Sequence, residues 1–205
     1  MSTGFEFDVA DDFESSSTFL EQPGTYHCII EDVKVGVGPK GNAYEGMTIH
    51  MSVLAGANQN EAKKTFNHLI GYPKQTDSDG GVFRRKVMSK FMLAANQINP
   101  ADKGKKASLD PDRLVGQQIV VAMAMKKGTD GKERLEVDNG GLAVHHVDDP
   151  HVANVPKDQA ALQLIPAALR HDAKWFEAVY VKAKPVAPAP VAPHAEASRV
   201  DLSQL

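Results

Sequence analysis

At 205 residues the chain has room for one ordinary domain with appendages, and a hydrophobic share of 42% predicts a folded middle. No apolar run approaches the roughly 18–20 residues of a membrane span, and the acidic start MSTGFEFDVADD is unlike a signal peptide, so a cytoplasmic protein with no membrane partner is expected. Cys28 is the only cysteine, which excludes an intramolecular disulfide and assigns that residue to a buried strand position.

The net charge of -3 is segregated along the chain. Residues 1–23 carry -6, residues 24–137 carry +5 and residues 138–205 carry -2. A basic centre between acidic ends suits a polyanionic partner, with the ends able to compete for the same surface. Ordinary solvated faces would produce the same totals.

Residues 1–22 read as an acidic, flexible arm punctuated by Phe5, Phe7, Phe13 and Phe19. Regular structure is expected from the Pro23-Gly24 turn. Over Thr25 to Val37 the apolar residues fall at Tyr26, Cys28 and Ile30 and then at Val33, Val35 and Val37. A period of two with one slip predicts a bulged strand able to bend around a barrel. After the Gly36–Asn42 turn, Met47, Ile49, Met51 and Val53 alternate with Thr48, His50 and Ser52, predicting a half-buried second strand. Lys63 to Ile70 reads as a third, antiparallel to it.

Beyond the loop 71–81 the period changes. Phe83, Val87, Phe91, Ala94 and Ile98 share one face of a helix, with Asp79 as the expected cap and Asn99-Pro100 as the stop. Gly116 to Lys127 predicts a fourth strand with Ile119, Val121, Met123 and Met125 on one face, and the Gly128–Gly131 turn leads into a fifth. Three strands, one helix and two strands make the expected fold mostly β, a five-stranded Greek-key barrel of the oligonucleotide-binding type over residues 23–147. Residues 148–181 are expected to add short helical pieces interrupted at Pro166, and 182–205 a disordered Pro/Ala-rich tail.

Catalytic and cofactor motifs are weak. Gly36-x-Gly38-x-x-Gly41 meets the dinucleotide spacing, but a strand follows instead of a helix and Pro39 interrupts it. No Walker lysine follows a Gly-rich turn, and Asp110-Pro111-Asp112 has no basic partner at a useful spacing, so no enzyme activity and no cofactor are expected. His145, His146 and His151 with Asp148 and Asp149 suggest metal ligands by type, but adjacent strand histidines face opposite ways, and a solvated loop is the expected reading.

The bases fall in more telling places. In the expected barrel Lys40 lies in the loop from strand one to two, and Lys126, Lys127, Lys132 and Arg134 surround the turn from four to five, the loops that flank the ligand face of this fold. Lys63 and Lys64 open the third strand, while Arg84, Arg85, Lys86 and Lys90 cover the exposed side of the helix. Tyr44, Phe66 and Tyr72 lie on or beside strands two and three, where a ring could stack on a base, although Phe66 suits a core position equally well.

The segments FEFDVADDFE, PGTYHCIIEDVKV, TIHMSVLAG and KKTFNHLIGYPK, then FRRKVMSKFMLAANQI, DRLVGQQIVVAMAMKK and GTDGKERLEV, resemble in pattern and order a phage-encoded family. That family is catalogued as a domain of unknown function and related to single-stranded-DNA-binding proteins. The resemblance covers roughly residues 5–140 and rests on no single diagnostic motif. It implies a non-catalytic oligonucleotide-binding barrel acting on single-stranded DNA, with RNA left open, in phage or prophage replication and recombination. Residues 142–181 extend past the family's usual end. The tail is similar to the linker-plus-tip design of bacterial single-strand binders, which makes Val200 to Leu205 a candidate dock for replication or recombination proteins; the tip lacks an aromatic residue. A homo-oligomer, a barrel serving only as a protein scaffold, and an enzyme with an unrecognised site remain open. So does regulation in which the acidic arm lies over the basic barrel and lowers its affinity for DNA.

Overall fold

Strand β1, Gly24–Val37, is the spine of the fold. Tyr26, Cys28 and Ile30 are fully buried along one face, and the register against β2 shifts at His27/Cys28, Ile30/Asp32 and Val35/Val37. The phase slip read between Ile30 and Val33 is thus one of three, and each adds bend to the strand. Strand β2, Ala43–Gly56, buries Met47, Ile49, Met51 and Val53 as their alternation predicts. Thr48 and Ser52, expected to face solvent, are buried too; the Thr48 hydroxyl donates to the Val37 carbonyl at 2.7 Å. Strand β3 begins at Thr65 and runs to Gly71, two residues later than expected, because a single 3-10 turn at Gln59–Glu61 and a left-handed Lys63 intervene.

This computed structural model describes residues 18–73 and 78–180. Most of the acidic arm, part of the loop before the helix, and the Pro/Ala-rich tail lie outside the described residues. Helix α1, Asp79–Ala94, turns Val87, Met88, Phe91, Met92 and Ala94 inward. Its cap is Ser78 and not Asp79: the Ser78 hydroxyl accepts from the Gly81 amide at 3.3 Å. It stops before Asn99-Pro100 because Asn96 enters the left-handed region at φ 57°, which leaves Ile98 beyond the helix.

Strand β4, Gln118–Lys127, pairs with β1 along one edge. Its other edge is shared by β5, Glu133–Val137, and by β6, Val144–His146. A four-residue helix α2, Asp138–Gly141, turns the chain from β5 to β6. The resulting antiparallel sheet has six strands in the order β3-β2-β1-β4-β5, with β6 beside β5 on β4. Among the described residues β3 and β5 do not pair, so the sheet is open and has one strand more than expected; α1 packs against β3 and β6 across the gap.

Ile119, Val120 and Val121 are buried in succession, where one buried face was expected. Ile119 and Val121 join the main core, whereas Val120 faces a second cluster with Val147, Val152 and Leu162. That cluster belongs to the chain after β6, which carries helix α3, Gln159–Gln163, and helix α4, Ala173–Tyr180, with 3-10 turns at Pro150–Val152 and, after Pro166, at Ala167–Leu169. Among the described residues no helix is long and apolar enough to cross a membrane.

Candidate nucleic-acid interface

Register decides where the basic residues stand. The end of β1 meets the start of β2 at Val37 and Ala43, and the start of β2 meets the end of β3 at Gly46 and Gly71. Lys40, Tyr44 and Tyr72 therefore share one end of the sheet. The Lys40 loop is a tight turn closed by the Gly38 amide on the Asn42 carbonyl at 2.7 Å, and Lys40 is exposed. The Tyr44 ring lies over Gly46, where a β-carbon would come within 2.6 Å of it. Burial raises the Tyr44 phenol and the Arg84 charge opposes that rise, so the two side chains are neighbours. Tyr72 keeps 37% of its surface exposed, with its amide donating to the Glu45 carbonyl at 3.0 Å.

The opposite end of the ladder holds the remaining cations. Ser52 pairs with Thr65 and Tyr26 with Gly56, which places Lys63 and Lys64 there, and β4 runs past its Met123–Gly24 pair so that the β4–β5 turn projects from the same end. Lys127 and Lys132 are exposed, and they form no ion pair among the described residues, as is also true of Lys40 and Lys63. Arg134 bonds to the Asp130 carboxylate across the turn and, together with the Lys132 amide, holds that carboxyl below its ordinary range. The Lys126 ammonium donates to the Val137 carbonyl at 3.1 Å.

Two of the residues singled out from the sequence have structural work instead. Phe66 is 6% exposed in the main core, so its ring is not a stacking platform. Lys64 donates to Glu61 at 3.1 Å and to Glu21 at 3.3 Å, and these acids raise its ammonium. Lys64 thereby ties the lead-in to β1, where the Thr65 amide donates to the Thr18 carbonyl at 2.7 Å, to the start of β3.

Between the two basic ends runs the outward strip of β1, β2 and β3. A cleft of about 290 Å³ opens there, lined by Phe19, Lys34, Pro39, Thr48, His50 and Asn67 among others. His50 Nδ1 lies 3.0 Å from the Asn67 side-chain oxygen, and its Nε2 lies 3.8 Å from Glu31. The sequence flagged none of these polar positions, because alternation in β2 and β3 marks them only as outward-facing. The strip is at most about 45 Å long for strands of this length at ~3.3 Å per residue.

The histidine-rich stretch is not the solvated loop expected of it. Among the described residues no group of three or more His, Cys, Asp or Glu side chains is placed to hold a metal ion. His146 and Asp149 are buried. His146 Nε2 donates to the Leu169 carbonyl at 3.0 Å and its Nδ1 accepts from the Asp148 amide at 3.1 Å; burial and the neighbouring His171 lower it to about 4. Burial pushes the Asp149 carboxyl up, but hydrogen bonds from His145 at 2.8 Å, from Tyr180, and from the His151 amide and ring outweigh it, holding the group well below the usual carboxylate range.

A second relay was invisible in sequence because its members are far apart. His27 Nε2 donates to Gln118 at 3.0 Å, Gln118 donates to the Ala161 carbonyl at 2.8 Å, and the Asp158 amide donates to His27 Nδ1 at 3.1 Å. Together these groups dock the C-terminal helices on β1 and β4. No protein-family model matches this chain, and no curated protein matches it.

Proposed function

We propose that this protein binds single-stranded nucleic acid, DNA in the first instance, along the outward strip of β1 to β3, without catalysis and with little sequence preference. The observation that carries the proposal is the distribution of charge: Lys40 at one end of the strip, and Lys63, Lys127 and Lys132 at the other, stand exposed and without ion pairs among the described residues. A backbone laid along the strip would meet cations at both ends, displacing condensed counterions and gaining salt-dependent affinity. Tyr72 and Tyr44 offer rings beside the strip, and His50 and Asn67 offer hydrogen bonds within it.

The strand order, with one helix between β3 and β4, supports an oligonucleotide-binding barrel left open between β3 and β5. That strand order and the family resemblance support a role in phage or prophage replication or recombination, in which the tail from residue 182 would contact other proteins of that process. The test is an anisotropy titration of a labelled, structureless single strand at low and moderate salt, with duplex of equal length as control. Tight, salt-sensitive binding that favours the single strand is expected. Absence of binding at low salt rejects the proposal in favour of a protein-interaction scaffold.

A further inference from the structure

A cleft with an apolar floor lies away from the strip. It lies between α1, the loop after it and the end of α4, and has a volume of about 630 Å³, within the range of about 300–1,000 Å³ typical of ligand clefts. Val82, Leu93, Ile98 and Leu142 contribute apolar lining, while Arg85, Lys86, Lys90, Lys103 and Lys105 stand around it with Asp102 as the single acid. The Lys103 ammonium donates to the Ala178 and Val179 carbonyls at 2.9 and 2.8 Å, fixing the end of α4 as one wall. Lys90 lies 5.4 Å from the centre of the Tyr180 ring at the same wall.

A cleft with apolar lining and a surplus of four positive charges selects an occupant that combines carboxylates with apolar side chains. One segment of this chain has that chemistry. Residues 5–14, FEFDVADDFE, carry five acids and no base, interleaved with Phe5, Phe7, Val9 and Phe13. The tail does not: it leaves Tyr180 with Lys182 and Lys184, and Glu196 and Asp201 are its only acids against those lysines and Arg199. The geometry also allows the reach. Thr18 is pinned to Thr65 at the start of β3, the strand on which α1 packs, and the thirteen residues from Phe5 to Thr18 span up to about 45 Å when extended. Tethering at that distance supplies an effective concentration of up to about the millimolar range.

We infer that the α1 cleft is the seat of the chain's own acidic N-terminal arm, with Phe side chains on its apolar lining and the carboxylates of Glu6, Asp8, Asp11 and Asp12 among its lysines. The arm so seated lies against the helix and leaves the strip between Lys40 and Lys132 uncovered. This differs from an arm that covers the DNA-facing cations, and it does not depend on nucleic-acid binding.

Cross-linking in the full-length chain tests it without nucleic acid. Asp8→Cys is paired either with Ser89→Cys, which lines the cleft, or with Thr129→Cys, exposed on the β4–β5 turn. Cys28, fully buried and with its thiol pushed up by burial, stays in place. With a short bismaleimide, the intrachain link to position 89 is expected to form about tenfold faster than the link to position 129. Adding Lys86→Glu, or Phe7→Ala with Phe13→Ala, should remove that advantage. Equal rates at the two positions, or an advantage that survives both changes, overturns the inference. A link that joins two chains instead of closing one also overturns it and gives the cleft to the arm of a second copy.

Discussion

At the loop ends of the sheet, Lys40, Lys63, Lys127 and Lys132 stand in solvent and form no ion pair among the described residues. Beneath the C-terminal helices, His27, His146 and Asp149 are removed from solvent and each is hydrogen-bonded. The first region keeps its charge available and contributes little to folding, since exposed cations gain almost nothing from the folded state. The second spends its polar atoms on one another, which commits them to a single geometry. Substitutions should therefore separate cleanly, with the first region governing ligand affinity and the second governing stability.

The largest effect expected from breaking this contrast is at Asp149. Asp149→Ala leaves Tyr180, His145 and His151 without their acceptor and should cost about 3–5 kcal/mol of stability. Urea unfolding followed by Trp175 fluorescence would read it, because Trp175 stacks on His171 at 4.0 Å beside the same network. Single-strand affinity under folding conditions should not change; a loss there would mean that the two regions are coupled.

Above the carboxylate range, acid should act chiefly through the buried histidines. His68 and His146 have an ordinary value of 6.5 and are lowered to about 4 in the fold by burial, and for His146 also by His171. The unfolded chain thus takes up their protons at higher pH than the folded one. Their contribution is full above about pH 6.5, falls as the pH drops toward 4 and levels off below, by up to ~3 kcal/mol for each histidine. Unfolding midpoints measured at pH 7, 5.5 and 4.5 would trace the fall. His68→Leu should flatten part of it, because His68 Nε2 is buried with no hydrogen-bond partner among the described residues and its ring lies 6.2 Å from that of Phe91.

The smallest effects belong to the loop cations. Lys127→Ala and Lys132→Ala should each weaken single-strand binding less than about tenfold and lower the salt slope by about 0.7. Both should leave the unfolding midpoint within about 0.5 kcal/mol of the parent. A slope that stays constant would remove those two residues from the interface.

How much of this was legible in the sequence follows from the range of the forces involved. Met47, Ile49, Met51 and Val53 declare their strand because alternation is local, and Val87 and Phe91 declare a helix for the same reason. The α1 cap moved from Asp79 to Ser78 because cap choice turns on one backbone angle. Phe83, placed by its spacing on the buried face, keeps 43% of its surface exposed beside Gly140 at the outset of the helix. Strand β6 was missed because three residues carry no usable period, and its pairing with β4 is a long-range choice. His146 looked solvated because its partners, Leu169 and Asn96, come from elements well removed in sequence, and Asp149 likewise because Tyr180 does. Among the candidate site residues, the exposed lysines stand where turn signals placed them, while Phe66 and Lys64 were claimed by the core and by Glu61, neither of which a linear pattern reveals.

The order in which strands meet has a consequence for how this chain comes into being. Strand β1 acquires β2 through a short turn, but its other edge waits for β4, whose Met123 pairs with Gly24 about one hundred residues earlier. During synthesis the first three strands and α1 emerge while that edge is still bare, and closing so long a loop is slow. A nascent chain halted near residue 115 would present an unpaired, strongly apolar strand, which is the condition for edge-to-edge aggregation. Release of the folded protein thus waits on its second half, and chaperone dependence should end once β4 has cleared the ribosome.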